Sequence, residues 1–221
     1  ASNIDMALAT DTTAVTLVSS ADGGTGTVTI TNLGSAATVS LATGNDFDGT
    51  LDVSLADATG TADSVTIGLN DETTGANKTD VTLKVAAAVE TTTLTVPKFR
   101  TDGTTANTGD TDANIAGVAS ASIVVTGGNS GTDLDLLQAG TMSATTTSLD
   151  STAFIGTLTA TASANVATTF KVDGAQIQTL IGSSKADTVT VDSTTATHVI
   201  DAGAGADTLN MTASGTISVA T

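Results

Sequence analysis

The sequence predicts an all-β chain: a right-handed parallel β-solenoid at the C-terminal end, with the remainder either more solenoid or a β-sandwich. Three observations predict it. Apolar and small polar residues alternate with a period of two, turn-forming clusters separate those runs, and one tetrad recurs at a spacing of twenty residues near the C-terminus. Alternation of this kind is the mark of a strand with one buried face. Strands roughly every 8–12 residues suit a sandwich, barrel or solenoid.

Val28-Thr29-Ile30, Thr38 to Leu41, Leu51 to Leu55 and Ser64 to Ile67 are the first alternating runs. Between them lie turn clusters at Asp22 to Gly26, Thr43 to Asp46 and Asp57 to Gly60. Longer runs follow at Asp80 to Val85 and Thr91 to Val96, and Pro97 stops the second because proline cannot donate to a strand ladder. Thr101 to Asn114 carries no large apolar residue and reads as a loop. The chain is therefore divided into a β-rich assembly domain at 1–97, a linker at 98–116 and a solenoid at 117–221, with one continuous β domain as the alternative. Strands resume at Ala121 to Val125, Leu134 to Leu137, Gly156 to Ala160 and Thr168 to Val172. Ala175 to Ile181 reads equally as a short helix or a strand-like rung. Thr188 to Val191, Thr197 to Ile200, Thr208 to Met211 and Thr216 to Val219 then follow about ten residues apart, one strand per half-turn.

Chemistry is concentrated in Leu180 to Met211. Gly182-Ser183-Ser184-Lys185-Ala186-Asp187-Thr188-Val189 is echoed by Ala202-Gly203-Ala204-Gly205-Ala206-Asp207-Thr208-Leu209. Small residues allow tight turns and bring carbonyls close to an ion, and aspartate adds a hard anionic oxygen. A twenty-residue coil would stack Asp187 on Asp207 at about 4.8 Å. Two carboxylates at that spacing repel unless a cation lies between them. Asp46 and Asp48, beside Asn45 in one turn, form a second candidate cation site, without the trailing glutamate of an EF-hand loop. Ala62-Asp63-Ser64-Val65 after Gly60, and Gly128-x-x-Gly131-x-Asp133, are weaker echoes.

Composition narrows the function classes. The chain has 23 acidic and 6 basic residues and a net charge of −17. Such a surface repels nucleic acid and anionic membranes and attracts divalent cations. Its acids are aspartates apart from Glu72 and Glu90, which favours turns over helices. There is no Cys, Trp or Tyr, so neither a disulfide scaffold nor a cysteine zinc site can form. No apolar run approaches the roughly 18 residues of a membrane span. Ala1 reads as the start of a mature or excised segment with no signal peptide.

The segment Ile200 to Leu209 resembles the RTX (repeats-in-toxin) nonapeptide, Gly-Gly-x-Gly-x-Asp-x-apolar-x, with Gly203, Gly205, Asp207 and Leu209 on its second, fourth, sixth and eighth positions. Only the first glycine is missing, replaced by Ala202. The earlier copy matches at Gly182, Asp187 and Val189, with Ser183 and Lys185 in place of glycines. The resemblance implies a parallel β-roll holding Ca2+ between rungs. Its ligands would be the carboxylates of Asp187 and Asp207 and the carbonyls of Gly182, Ser184, Ala202 and Ala204. The chain also looks like bacterial surface-layer (S-layer) proteins exported by type I secretion, in its Thr/Ala/Gly/Val/Asp bias and few aromatics.

An enzyme is the poorest reading. His198, the only histidine, is expected to face outward from a strand, and no Gly-x-Ser-x-Gly elbow or P-loop lysine accompanies it. The expectation is a secreted, cell-surface structural protein that needs Ca2+ and assembles with itself as a layer or filament. Cell-surface polysaccharide is its second expected partner, and neither nucleic acid nor a membrane span is expected. The alternative is a fragment of a large calcium-binding adhesin built from sandwich repeats.

Overall fold

Alternation becomes a stack of coils. The computed structural model describes residues 1–9, 12–18, 26–41, 49–57, 59–69, 79–96, 111–128, 136–173, 178–192, 198–212 and 217–220. The strands of the first part are β1 (Ser2–Asp5), β2 (Ala14–Leu17), β3 (Thr27–Leu33), β4 (Ala37–Leu41), β5 (Thr50–Leu55) and β6 (Ser64–Gly68). Then come β7 (Thr79–Val85), β8 (Thr91–Val96), β9 (Thr111–Val118), β10 (Ser122–Gly127), β11 (Leu136–Thr141), β12 (Ser148–Phe154) and β13 (Thr157–Thr161). The last six are β14 (Thr169–Val172), β15 (Gln178–Ile181), β16 (Thr188–Val191), β17 (His198–Asp201), β18 (Thr208–Met211) and β19 (Ile217–Ala220).

Odd-numbered strands form one ten-stranded sheet and even-numbered strands one nine-stranded sheet, each in chain order. The chain thus crosses from sheet to sheet at every corner, and each strand pairs in parallel with the strand two further on. This is the topology of a two-sheet β-solenoid. No helix occurs among the described residues.

Side chains of one phase fill the space between the sheets in columns. Ile30, Val53, Val85 and Val118 stack in the ten-stranded sheet. Val39, Ile67, Leu94 and Val125 stack in the nine-stranded sheet. All eight are buried. Further on, Leu149, Phe170 and Val189 continue an inward column, and Phe154 and Phe170 are the largest of the fully buried side chains. The opposite phase includes short hydroxylated columns, such as Ser148, Thr169 and Thr188, beside charged pairs such as Asp150 and Lys171. β-Branched residues suit such half-buried pleated surfaces.

Four expectations meet the structure here. The region left open between solenoid and sandwich is solenoid, since every strand pair from β1 onward is parallel. The end of the stretch read as a linker, residues 111–116, belongs to β9, which pairs with β7 and β11 and carries the ten-stranded sheet across. Its inward residues Ala113, Ile115 and Val118 are buried, set among the small residues Asn114, Ala116 and Gly117. Gln178–Ile181 is a strand rather than a helical turn. Finally, the twenty-residue spacing holds where it was read: Leu180 stacks on Ile200, and Thr188 on Thr208.

Candidate cation-binding turns

The turns at Gly182 to Asp187 and Ala202 to Asp207 connect β15 to β16 and β17 to β18, one directly over the other. Backbone bonds sew them together: Gly182 N–H donates to Asp201 O at 2.6 Å, and Ala204 N–H to Ser183 O at 2.9 Å. Gly182 has no room for a side chain, because a Cβ there would run into the Ala202 carbonyl and come within 2.9 Å of Asp187 Oδ2. Gly203 has φ +78°, and a Cβ on it would run into the Ser183 carbonyl. Only glycine meets both demands. The small residues that the sequence offered as ion-approach positions therefore let one coil settle on the next.

Asp187 is 1% exposed. Its Oδ1 accepts Thr168 N–H at 2.6 Å from the preceding coil, and its Oδ2 accepts Ser183 N–H at 2.6 Å from its own turn. Asp207 repeats the first of these contacts one coil later, with Oδ1 accepting Asp187 N–H at 2.9 Å. Thr168, Asp187 and Asp207 each stand immediately before an even-numbered strand. Each carboxylate thus seals the amide of the equivalent residue in the coil before it.

Asp187 and Asp207 stack as the repeat implied. Their charges, however, are directed at amide donors, which supply part of the compensation that the sequence reading assigned to a cation alone. Ser184 and Ala204 lie on the exposed side of the turns, whereas Asp187 is enclosed. Ser184 donates through both N and Oγ to Ala164 O, at 3.2 and 2.6 Å. Ala202 is half-buried with its carbonyl against Gly182. Among the described residues, no group of three or more His, Cys, Asp or Glu side chains is placed to hold a metal ion. Asp46 and Asp48 lie outside the described residues, as does Asp133.

The upstream echo at Asp63 has the same construction. Asp63 Oδ2 accepts Gly60 N–H at 3.2 Å, and Glu90 Oε2 accepts Asp63 N–H at 2.7 Å from the next coil. Glu90 was not singled out in the sequence because it sits outside the twenty-residue spacing. The signal that would have found it is an acid directly followed by Ser or Thr at a strand start: Asp63-Ser64, Glu90-Thr91, Asp187-Thr188, Asp207-Thr208.

His198 corrects an expectation outright. It is fully buried, and Val199 is the residue that faces out, 37% exposed. Strand phase decides this, because Ile200 continues the inward column of Leu180 and His198 shares its parity. Nδ1 accepts Gln178 N–H at 3.3 Å. Burial holds the imidazole below the ordinary histidine value, and the charge of Asp173 opposes that shift.

No helix among the described residues is long and apolar enough to cross a membrane. No family model, curated protein or solved structure matches the chain.

Proposed function

We propose that the chain is a calcium-dependent structural protein, secreted to the bacterial cell surface, whose copies assemble into a surface layer or an extracellular filament. The observation that supports this most is the continuous two-sheet stack, walled by short hydroxylated side chains and carrying a charge of −17. Such a body is stiff and repetitive. Copies of it cannot approach closely until counterions offset their mutual repulsion. Ca2+ is the matching ion for an aspartate-rich surface, because it takes carboxylate and carbonyl oxygens in flexible geometry. The RTX-like pair of turns at Gly182 to Asp187 and Ala202 to Asp207 is its proposed seat. Outward threonines such as Thr66 and Thr93 offer hydrogen bonds to neighbouring copies and to cell-surface polysaccharide.

Titration of the purified chain with Ca2+, followed by light scattering and electron microscopy, tests the proposal. Ordered sheets or filaments should form at millimolar Ca2+ and dissolve on chelation. A chain that stays monomeric at every Ca2+ concentration refutes it.

A further inference from the structure

We propose that the rung joining Gln178 to His198 is an acid-sensitive latch, which holds the coils from β15 onward together only while the imidazole is neutral. His198 is enclosed, and its Nδ1 receives the Gln178 amide proton at 3.3 Å. An amide can donate there only if Nδ1 keeps its lone pair, so the ring proton of the neutral form sits on Nε2. Among the described residues Nε2 is buried without a hydrogen-bond partner. Protonation would therefore set N–H against N–H at Nδ1 and place a charge where no described residue accepts from the other nitrogen.

Gln178 cannot swing away to relieve that clash. Its Oε1 accepts Ser151 Oγ at 2.6 Å, and its Nε2 donates to Phe154 O at 3.5 Å. The rung is thus fastened on the side of the earlier coils and loaded on the side of the later ones. Asp173, just beyond β14, is the charged group whose field reaches the ring, and it favours the cation. Lys171 on β14 is engaged with Asp150 at 3.4 Å on the outer face. Asp201, on the strand of His198 itself, has the outward phase and accepts Gly203 N–H at 3.0 Å. Gln178 on β15 is uncharged.

A base held neutral in the fold confers full stability above its unfolded value, about 6.5. Stability falls as pH drops from there toward the folded value, because the unfolded chain binds a proton that the folded one refuses. Free aspartate and glutamate side chains titrate at about 4, so the range from pH 7 to about 5.5 is chosen to bracket the imidazole.

Having a single histidine gives the test one imidazole signal. NMR titration of the folded chain should place that imidazole below 6.5. Hydrogen exchange at the Leu180 and Ile200 amides, corrected for its intrinsic pH dependence, should quicken about fivefold or more between pH 7 and pH 5.5. Leu51 and Ile67 should not change. In His198→Asn the side-chain oxygen replaces Nδ1 as acceptor and nothing titrates, so the exchange should lose its pH dependence. An imidazole that titrates at or above 6.5 overturns the latch, even if the variant fails to fold. So does the same acid-induced quickening in His198→Asn.

Discussion

Replacing Asp187 by alanine removes the acceptor for two backbone amides at once. Thr168 N–H and Ser183 N–H each lie 2.6 Å from an Asp187 oxygen, and the residue is 1% exposed, so water has little access to replace it. A buried donor left without a partner costs about 1–3 kcal/mol. Two of them predict a loss of roughly 2–6 kcal/mol, a large share of the 5–15 kcal/mol that holds a typical domain. Asp207→Ala is the internal control. Among the described residues Asp207 makes one such bond, to Asp187 N–H, from a half-exposed position that solvent can fill, so about 0.5–1.5 kcal/mol is expected. Urea unfolding followed by circular dichroism, first in chelator and then in millimolar Ca2+, measures both. The reasoning fails if Asp187→Ala lies within about 0.5 kcal/mol of the parent in chelator, or if the two variants lose the same amount. A loss seen only with Ca2+ present would mean that the carboxylate serves the ion rather than the amides.

Two further outcomes follow from named contacts. Gly203→Ala forces φ +78° on a residue with a Cβ and drives that Cβ into the Ser183 carbonyl. A loss of about 2–4 kcal/mol is expected, read as a lower melting temperature with or without chelator. Asp5 accepts the Asn32 side-chain amide at 2.7 Å and then Ala7 N–H at 2.9 Å, and these bonds hold its carboxyl below the ordinary aspartate value. The stabilisation they give is present above the unfolded value and lost as pH falls through the folded one. Asn32 has φ 59°, so Asn32→Gly keeps the backbone and deletes only the amide. Carbon-13 NMR should then show Asp5 titrating closer to its ordinary value, and an unchanged titration would refute the assignment.

Strand positions were legible because alternation is a local signal. Thr188 to Val191 and Thr208 to Met211 coincide with β16 and β18. β12 was not legible, because its register slips between Val124 and Thr126 of the neighbouring β10 and its alternation breaks at Thr152 and Ala153. β9 was hidden because its alternation breaks at Ala116 and Gly117, where its register against β7 shifts; its three inward residues suffice in a sheet whose neighbours already supply the ladder. At the candidate site, repetition gave the stacking of Asp187 on Asp207 but not where their oxygens point. That direction is set by Thr168, which occupies the same corner one coil earlier and carries no acid to mark it. His198 was assigned the wrong face because strand phase depends on the partner coil, where Leu180 meets Ile200.

Thr50 sits beside Thr82 in the stack, while Thr169 sits beside Thr188. Coils of very different length therefore each advance the axis by one strand spacing, about 4.8 Å. The height of the body is set by the number of coils, roughly 43 Å for ten strands, and not by the number of residues. A peptide grafted at a corner would project sideways without lengthening the axis. The footprint of the molecule and its thickness can thus vary independently, the first by loop insertion and the second only by whole coils.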